Sequence, residues 1–342
     1  MGLREYVVTR VILTLPMIFI LLSIVFFVMR VLPGNPVLLR FEKNADPALI
    51  ASYTHRLGLD KPLYIQYIDY ISDLLHGNLG LSMSGDFEPV APQIMSRFPA
   101  TLELALYSTI VAITVGISLG VVASSKRGYI DSGVKLYGIL SYATPVFFIG
   151  MILQIIFGVI LHLLPVYGRF DGAPPTGITV GSFHIQTGLY TIDSLLEGNI
   201  GDFLNAASHI ILPSIALGIV ISGVFVRITR ANMLETIRSD FVTAARARGL
   251  KERTILFGYA LRNAILPVVT VIGLQFAILL SGAVLTETEF SIQGLGLYLV
   301  DRVNFRDYTA VQGTVVFLAI IITTVSLIVD IAYAYLDPRV RL

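Results

Sequence analysis

The chain has 342 residues, 55% of them hydrophobic and only 14% charged, with a formal net charge of +1. Soluble globular chains carry about 25% charged residues, so the composition excludes an ordinary soluble domain and points to a polytopic membrane protein. There is no cysteine to supply a disulfide, thiolate ligand or thiol nucleophile, the five histidines (His55, His76, His162, His184, His209) have no metal-ligand spacing, and no P-loop or nucleophile elbow is present, so the chain reads as a non-enzyme that binds no cofactor or metal of its own and hydrolyses no ATP.

Taken in chain order, Arg4 and Arg10 precede an apolar run from Val11 to about Leu32. That run exceeds a signal-peptide core and no small-x-small cleavage site follows it, so it predicts a retained first transmembrane helix over 11–32, slightly bent by Pro16. Five more stretches approach the roughly 20 apolar residues a bilayer requires: 101–123, 141–164, 208–227, 264–288 and 312–336. The expected fold class is therefore an all-α polytopic membrane protein with six transmembrane helices. The expected division is an N-terminal helix (1–32), a cap loop (33–100), a five-helix core (101–336) and a tail (337–342). The core carries an outer insert (165–207) and an inner loop (227–263).

In the cap loop, Leu59, Leu63, Ile65, Tyr67, Ile68, Ile71, Leu74 and Leu75 follow helical spacing, while Asn35-Pro36, Asp46-Pro47 and Gly77-Asn78 break the loop into short pieces. A small helical cap is expected. The insert is rich in Gly and Pro and is expected to be irregular, with a short strand within Gly177–Ile185. A third outer loop, 289–311, carries Gly294-Leu295-Gly296.

Charge sets the orientation. With both termini inside, 15 of the 24 Lys/Arg residues fall in the inner segments, which are much shorter than the outer ones. The positive-inside rule then places both termini in the cytoplasm. Eight of those basic residues lie between Arg227 and Arg262, against three acidic ones, Glu235, Asp240 and Glu252.

Within this loop Ser239 or Asp240 predicts an N-cap, with the acidic group also complementing the helix dipole. Gly249 predicts a left-handed stop. The helix between them is about nine residues, on the order of 14 Å. Phe241, Ala244, Ala245 and Arg248 share one side by i, i+3, i+4, i+7 spacing. The alanines admit a close backbone, Phe241 offers an anchor, and Arg246, Arg248, Lys251 and Arg253 can meet acidic groups on a partner. The plainer alternative is a loop helix whose arginines only fix topology.

Thr243-Ala244-Ala245-x-x-x-Gly249 resembles the EAA loop of ABC importer permeases. DFVTAARARGL (240–250) followed by YALRNAILPVVT (259–270) resembles their dipeptide/oligopeptide branch, as do LGLDKPLYIQYIDYISDLLHGNLGLSM (57–83), RFPATLELAL (97–106), HIILPSIALG (209–218), FSIQGLGLYLVDRVNFRDYTAVQG (290–313) and YLDPRVRL (335–342). Thr243 replaces the acidic residue for which the loop is named, and Arg262-Asn263 stands where other branches have Leu-Pro. The resemblance implies a type I ABC importer permease fold. It also implies that Asp240, Phe241, Thr243, Ala244, Ala245, Arg246, Arg248 and Gly249 form a coupling helix seated in an ATPase groove. The implied partners are a second homologous permease, one or two P-loop ATPases holding ATP and Mg, an extracytoplasmic solute-binding protein and the lipid bilayer, with no nucleic acid. The implied cargo is di- or oligopeptide, with oligosaccharides and metal chelates also within the branch.

Polar residues within spans are functional candidates by default. Gln275, Gln154 and Ser222 are taken as candidate path residues, with an interhelical hydrogen bond as the alternative role for Gln275. Glu103, Glu287 and Glu289 are expected to be interfacial or structurally paired, with contact to a substrate amine or the binding protein as the alternative, and Asp330 is expected to pair with an arginine. Gly116-x-x-x-Gly120 and Gly218-x-x-x-Ser222 predict close helix packing. The alternative function is a self-sufficient secondary transporter or channel, which would need a buried cluster of Asp, Glu or His near the midplane; the spans show none.

Overall fold

The computed structural model describes residues 3–31, 37, 46–84, 87–126 and 128–336. The turn signal at Asn35-Pro36, the basic residues Arg40 and Lys43 and the tail 337–342 lie outside them.

The first span is α1 (Leu3–Val31), with Pro16 inside it. In the cap, α2 (Pro47–Arg56) starts where Asp46 accepts from the Ala48 amide at 3.0 Å and Pro47 occupies the first turn. Asp46-Pro47 is thus a helix start as well as a break. The amphipathic α3 (Leu63–Leu75) follows. It lies on the end of α1: Tyr67 and Tyr70 each pack 5.2 Å from the fully buried Phe26, and the Tyr67 hydroxyl is 2.6 Å from that of Ser23.

The second span begins earlier than expected, as α4 (Val90–Ser125), 36 residues long. The expected single span 141–164 is corrected to two helices, α5 (Tyr129–Ala143) and α6 (Val146–Leu153), the latter running into a π-helical turn at Gln154–Ile160. The pieces are bent by 102°. Pro145 supplies the reason, because it has no amide hydrogen and pushes Thr144 to an extended conformation (φ −85°, ψ 128°).

The insert holds a two-stranded antiparallel hairpin, β1 (Ile178–Val180) and β2 (Phe183–Ile185), where a single strand was expected. It also holds a short helix, α7 (Tyr190–Leu196). The fourth span is α8 (Ile200–Ile237), 38 residues, so the first third of the expected inner loop 227–263 is still helix. Then come α9 (Asp240–Ala247), α10 (Glu252–Thr254), a second π-helical turn at Ile255–Ala260 and α11 (Leu261–Gly282). The chain ends with α12 (Val284–Glu289), α13 (Leu295–Asn304) and α14 (Tyr308–Leu336). Among the described residues, five continuous helical stretches are long and apolar enough to cross a bilayer, or six if the bent α5–α6 pair is one broken span.

The spine of the molecule is the parallel pair α4 and α8. A Cβ on Gly116 would collide with that of Phe225, and one on Gly120 would lie 2.6 Å from that of Thr229. One on Gly218 would lie 2.5 Å from Val111 Cγ1. The expected small-residue contact is therefore present, and its glycines are required for space. Leu104, Leu212, Leu279, Leu280, Phe290 and Ile292 close the main core between α4, α8, α11 and the segment after it.

Buried polar groups mark the two ends of the bundle. At one, here called the cap end, Glu103 takes the Arg169 guanidinium at 2.6 Å and the Thr191 amide and hydroxyl at 2.9 and 2.7 Å. Glu287 takes the Thr101 hydroxyl at 2.6 Å and the Gly296 and Leu297 amides at 2.7 and 3.0 Å, capping α13 from outside. Asp307 takes the Met83, Ser84 and Ala310 amides and ties the loop before α4 to the start of α14. At the opposite end Arg10 of α1 reaches Asp330 of α14 at 3.1 Å, as expected for Asp330.

Candidate coupling site

α9 sits at that opposite end, directly after α8. Its N-cap is Ser239, whose hydroxyl donates to the Thr236 carbonyl at 2.5 Å instead of capping α9; the Val242 and Thr243 amides donate to the Ser239 carbonyl. Asp240 stands in the first turn. At the other terminus the Gly249 amide donates to Arg246 O at 2.9 Å and the Leu250 amide to Ala245 O at 3.4 Å, the paired bonds of a Schellman motif. Gly249 has φ +76° and open space around it, so its backbone conformation, not crowding, favours glycine.

Burial corrects the expected docking face. Ala245 is 3% exposed and packs with Val242, Ile255 and Leu250 into the body of the loop. It does not share the outward side with Phe241, Ala244 and Arg248, all of which are exposed; Phe241 is 42% exposed. The outward face is thus an aromatic anchor, a small residue and a cation, flanked by Thr243. Arg246 is also reassigned. It donates to Glu252 at 2.7 Å, which clips α9 to α10 and raises the Arg246 guanidinium above its usual value. Arg248, Lys251 and Arg253 have no carboxylate partner among the described residues.

A clasp that sequence reasoning missed joins this region to the bundle. The Asp131 carboxylate of α5 accepts from Arg230 of α8 at 2.6 and 3.0 Å and pairs with Lys135 at 2.7 Å. Asp131 and Arg230 are 99 residues apart, so no local spacing signals the pair.

The path candidates separate. Gln154 lies in the first π-helical turn and donates to the Val166 carbonyl at 2.9 Å, so it straps the insert to the bundle. Ser222 is fully buried in the α4–α8 contact, 2.7 Å from the Tyr137 hydroxyl and bonded to Ile219 O; it is a packing residue, and the expectation that it lines the path is corrected. Gln275 of α11 is half-buried with no side-chain hydrogen bond among the described residues. Of the three outer glutamates, Glu103 and Glu287 are paired as described. Both carboxylate oxygens of Glu289 are buried over Gly150 without a partner among the described residues, so the expected pairing fails there.

These features define a multi-pass membrane protein with a capped, solvent-facing helix at one end of its bundle. Residues 112–342 match the family described as the binding-protein-dependent transport system inner membrane component, and residues 3–105 match the N-terminal part of the same kind of protein. The chain belongs to this family and is the permease subunit of a binding-protein-dependent importer, not an enzyme. It is similar to the di/tripeptide transport system permease protein DppB of Pseudomonas aeruginosa, 43% identical over 98% of both chains. It is also similar to the dipeptide transport system permease protein DppB of Escherichia coli, 40% identical over 98% of both. A probable D,D-dipeptide transport system permease protein, DdpB, of the same organism is 39% identical over 93% of this chain and 92% of its own. A solved structure of inward-facing conformations of the MetNI methionine ABC transporter matches with a TM-score of 0.53 at 14% identity, over 71% of this chain and 96% of that one. At that identity the match speaks for the type I permease fold alone.

Proposed function

We propose that this chain forms half of the path for di- or oligopeptides through a cell membrane, paired with a second, homologous permease. In this reading both termini are cytoplasmic, α9 docks on a P-loop ATPase, and ATP and Mg reside on that partner. A solute-binding protein delivers cargo to the cap end. Support for the cargo comes from the relatives, whose names specify dipeptides and di/tripeptides.

The observation that carries the coupling role is the build of α9. Both ends are fixed, its inner face of Val242 and Ala245 is seated on Ile255 and Leu250, and its outer face presents Phe241, Ala244 and Arg248 to solvent. A short rigid helix so held transmits a rigid-body push, and its junction with α8 passes that push to the α4–α8 spine.

The test uses Phe241→Asp in the full chain, expressed with its transporter partners. The expected result is normal insertion, loss of the ATPase from the mild-detergent complex and loss of labelled dipeptide uptake. Retained ATPase and uptake would overturn the coupling role. Uptake of other solutes but not of dipeptides by the wild type would overturn the cargo.

A further inference from the structure

A cavity of about 300 Å³ lies at the cap end between the last turn of α1, the α2–α3 pair and the first turns of α14. That is within the size range of small-molecule sites. Arg30, Arg56, Tyr70 and Gln312 are among the residues that line it.

Its electrostatics are unbalanced toward positive charge. Lys61 is neutralised by Asp69 at 2.7 Å, and His55 is held by Asp60 at 2.8 Å. Asp73 accepts from the Asn78 side-chain amide at 3.1 Å. Arg30 and Arg56 have no carboxylate partner among the described residues; each lies against an aromatic ring, Phe26 at 5.6 Å and Phe87 at 4.9 Å. Of the buried donors facing this region, Arg30 Nε is unmet and Gln312 Nε2 has only the Tyr70 hydroxyl beside it. A buried donor without an acceptor is destabilising, so a ligand rich in acceptor oxygens would satisfy both donors and both cations.

The place of the cavity selects the source of such a ligand. Met29 and Arg30, in the last turn of the apolar α1, form part of its wall. Just before it, Ile24, Phe27 and Val28 are 57%, 47% and 52% exposed, an apolar surface that in a membrane meets acyl chains or a neighbouring subunit. Tyr67 and Tyr70 stand beside this turn as interfacial aromatics. An arginine at the end of a span sits at headgroup depth.

We propose that this cavity binds the phosphate of a membrane phospholipid, held by Arg30, Arg56 and Gln312. The lipid's acyl chains run down the exposed face of α1, so the lipid joins α1 and the cap to α14.

The test is native mass spectrometry of the full chain, extracted in mild detergent from vesicles of phosphatidylethanolamine and phosphatidylglycerol. One phospholipid per chain is expected to survive extraction. Arg30→Gln and, separately, Gln312→Leu should each weaken retention about tenfold, the equivalent of one lost charge-assisted bond. Arg10→Gln, at the opposite end, should leave it unchanged, and gel filtration of each variant checks that the fold persists. Retention at the wild-type level in both cavity variants, or no retained lipid in the wild type, would overturn the proposal. Displacement of the lipid by inorganic phosphate alone would assign the cavity to a free anion and overturn the lipid reading.

Discussion

Ala245→Glu separates the seat of α9 from its docking face. Ala245 is buried against Val242 and Ile255, both fully buried, and Leu250. A glutamate there has two choices. It can remain inside as an unpaired carboxylate, which costs several kcal/mol. Or it can escape by lifting α9, which exposes Val242 and Ile255 and forfeits about 1.5–3 kcal/mol for each. The cheaper course costs about 3 kcal/mol or more, a local opening favoured roughly a hundredfold over wild type. α9 has eight residues, too few to hold a helix in water without its seat. The assay is amide hydrogen exchange on the full chain. The reporters are the amides of Arg248, Gly249 and Leu250, bonded to Ala244, Arg246 and Ala245. Ala245→Glu should speed their exchange about a hundredfold and release the ATPase. Ala244→Glu, on the outward face, should leave the exchange at the wild-type rate and still release the ATPase. If Ala245→Glu leaves these amides protected, or Ala244→Glu unprotects them, the assignment of inner and outer faces is wrong.

Two further outcomes test the bundle. Asp131→Asn removes the charge and one of the two acceptors that face Arg230 and should cost about 1 kcal/mol, the partly exposed pair being screened by water; it should also loosen the link between ATPase activity and uptake, and full coupling with unchanged thermal stability would show the clasp to be idle. Gln275→Leu should leave stability unchanged and lower uptake; unchanged uptake would assign the amide to packing.

The long apolar stretches were legible because hydropathy averaged over a bilayer's thickness detects them directly. What such an average cannot show is where the helix stops. α8 continues ten residues past the apolar window to Ile237, since Arg227 and Arg230 are good helix formers and neither Gly nor Pro intervenes. Conversely, 141–164 passes as one span by hydropathy although Thr144-Pro145 divides it, a local signal that the average hides. In α9 the helix, its N-cap region and its glycine stop were all readable from residue type. The orientation was not: the i, i+3, i+4, i+7 stripe fits Phe241, Ala244, Ala245 and Arg248, and only the larger Val242, three residues before Ala245, hints at the inner side. Ser222 was read as functional because a polar residue in a span is costly, but Tyr137, 85 residues away, satisfies it. The two π-helical turns and the Asp131–Arg230 clasp depend on tertiary contacts, for which single-sequence periodicity carries no signal.

The distribution of buried polar groups bears on how such a permease can move. At the cap end Glu103, Glu287 and Asp307 bind the insert, α12, α13 and the loop before α4 to the span ends through bonds of 3.1 Å or less. Breaking any of them leaves a buried carboxylate or its donors unmet, so these segments shift together or not at all. The interior of the α4–α8 spine is different: Gly116, Gly120 and Gly218 bring the helices together with few directional bonds, which fixes their separation tightly. The joints are found elsewhere, at the 102° bend at Pro145 and the π-helical turns at 154–160 and 255–260, where the regular hydrogen-bond ladder is interrupted. One joint follows the clasp from Asp131 and one follows α9. Under the proposed coupling role, a push on the outward face of α9 reaches a stiff spine through α8, and the compliance it meets lies in α5–α6 and at the root of α11. Those are the segments whose rearrangement can open and close a path while the cap and the spine keep their shape.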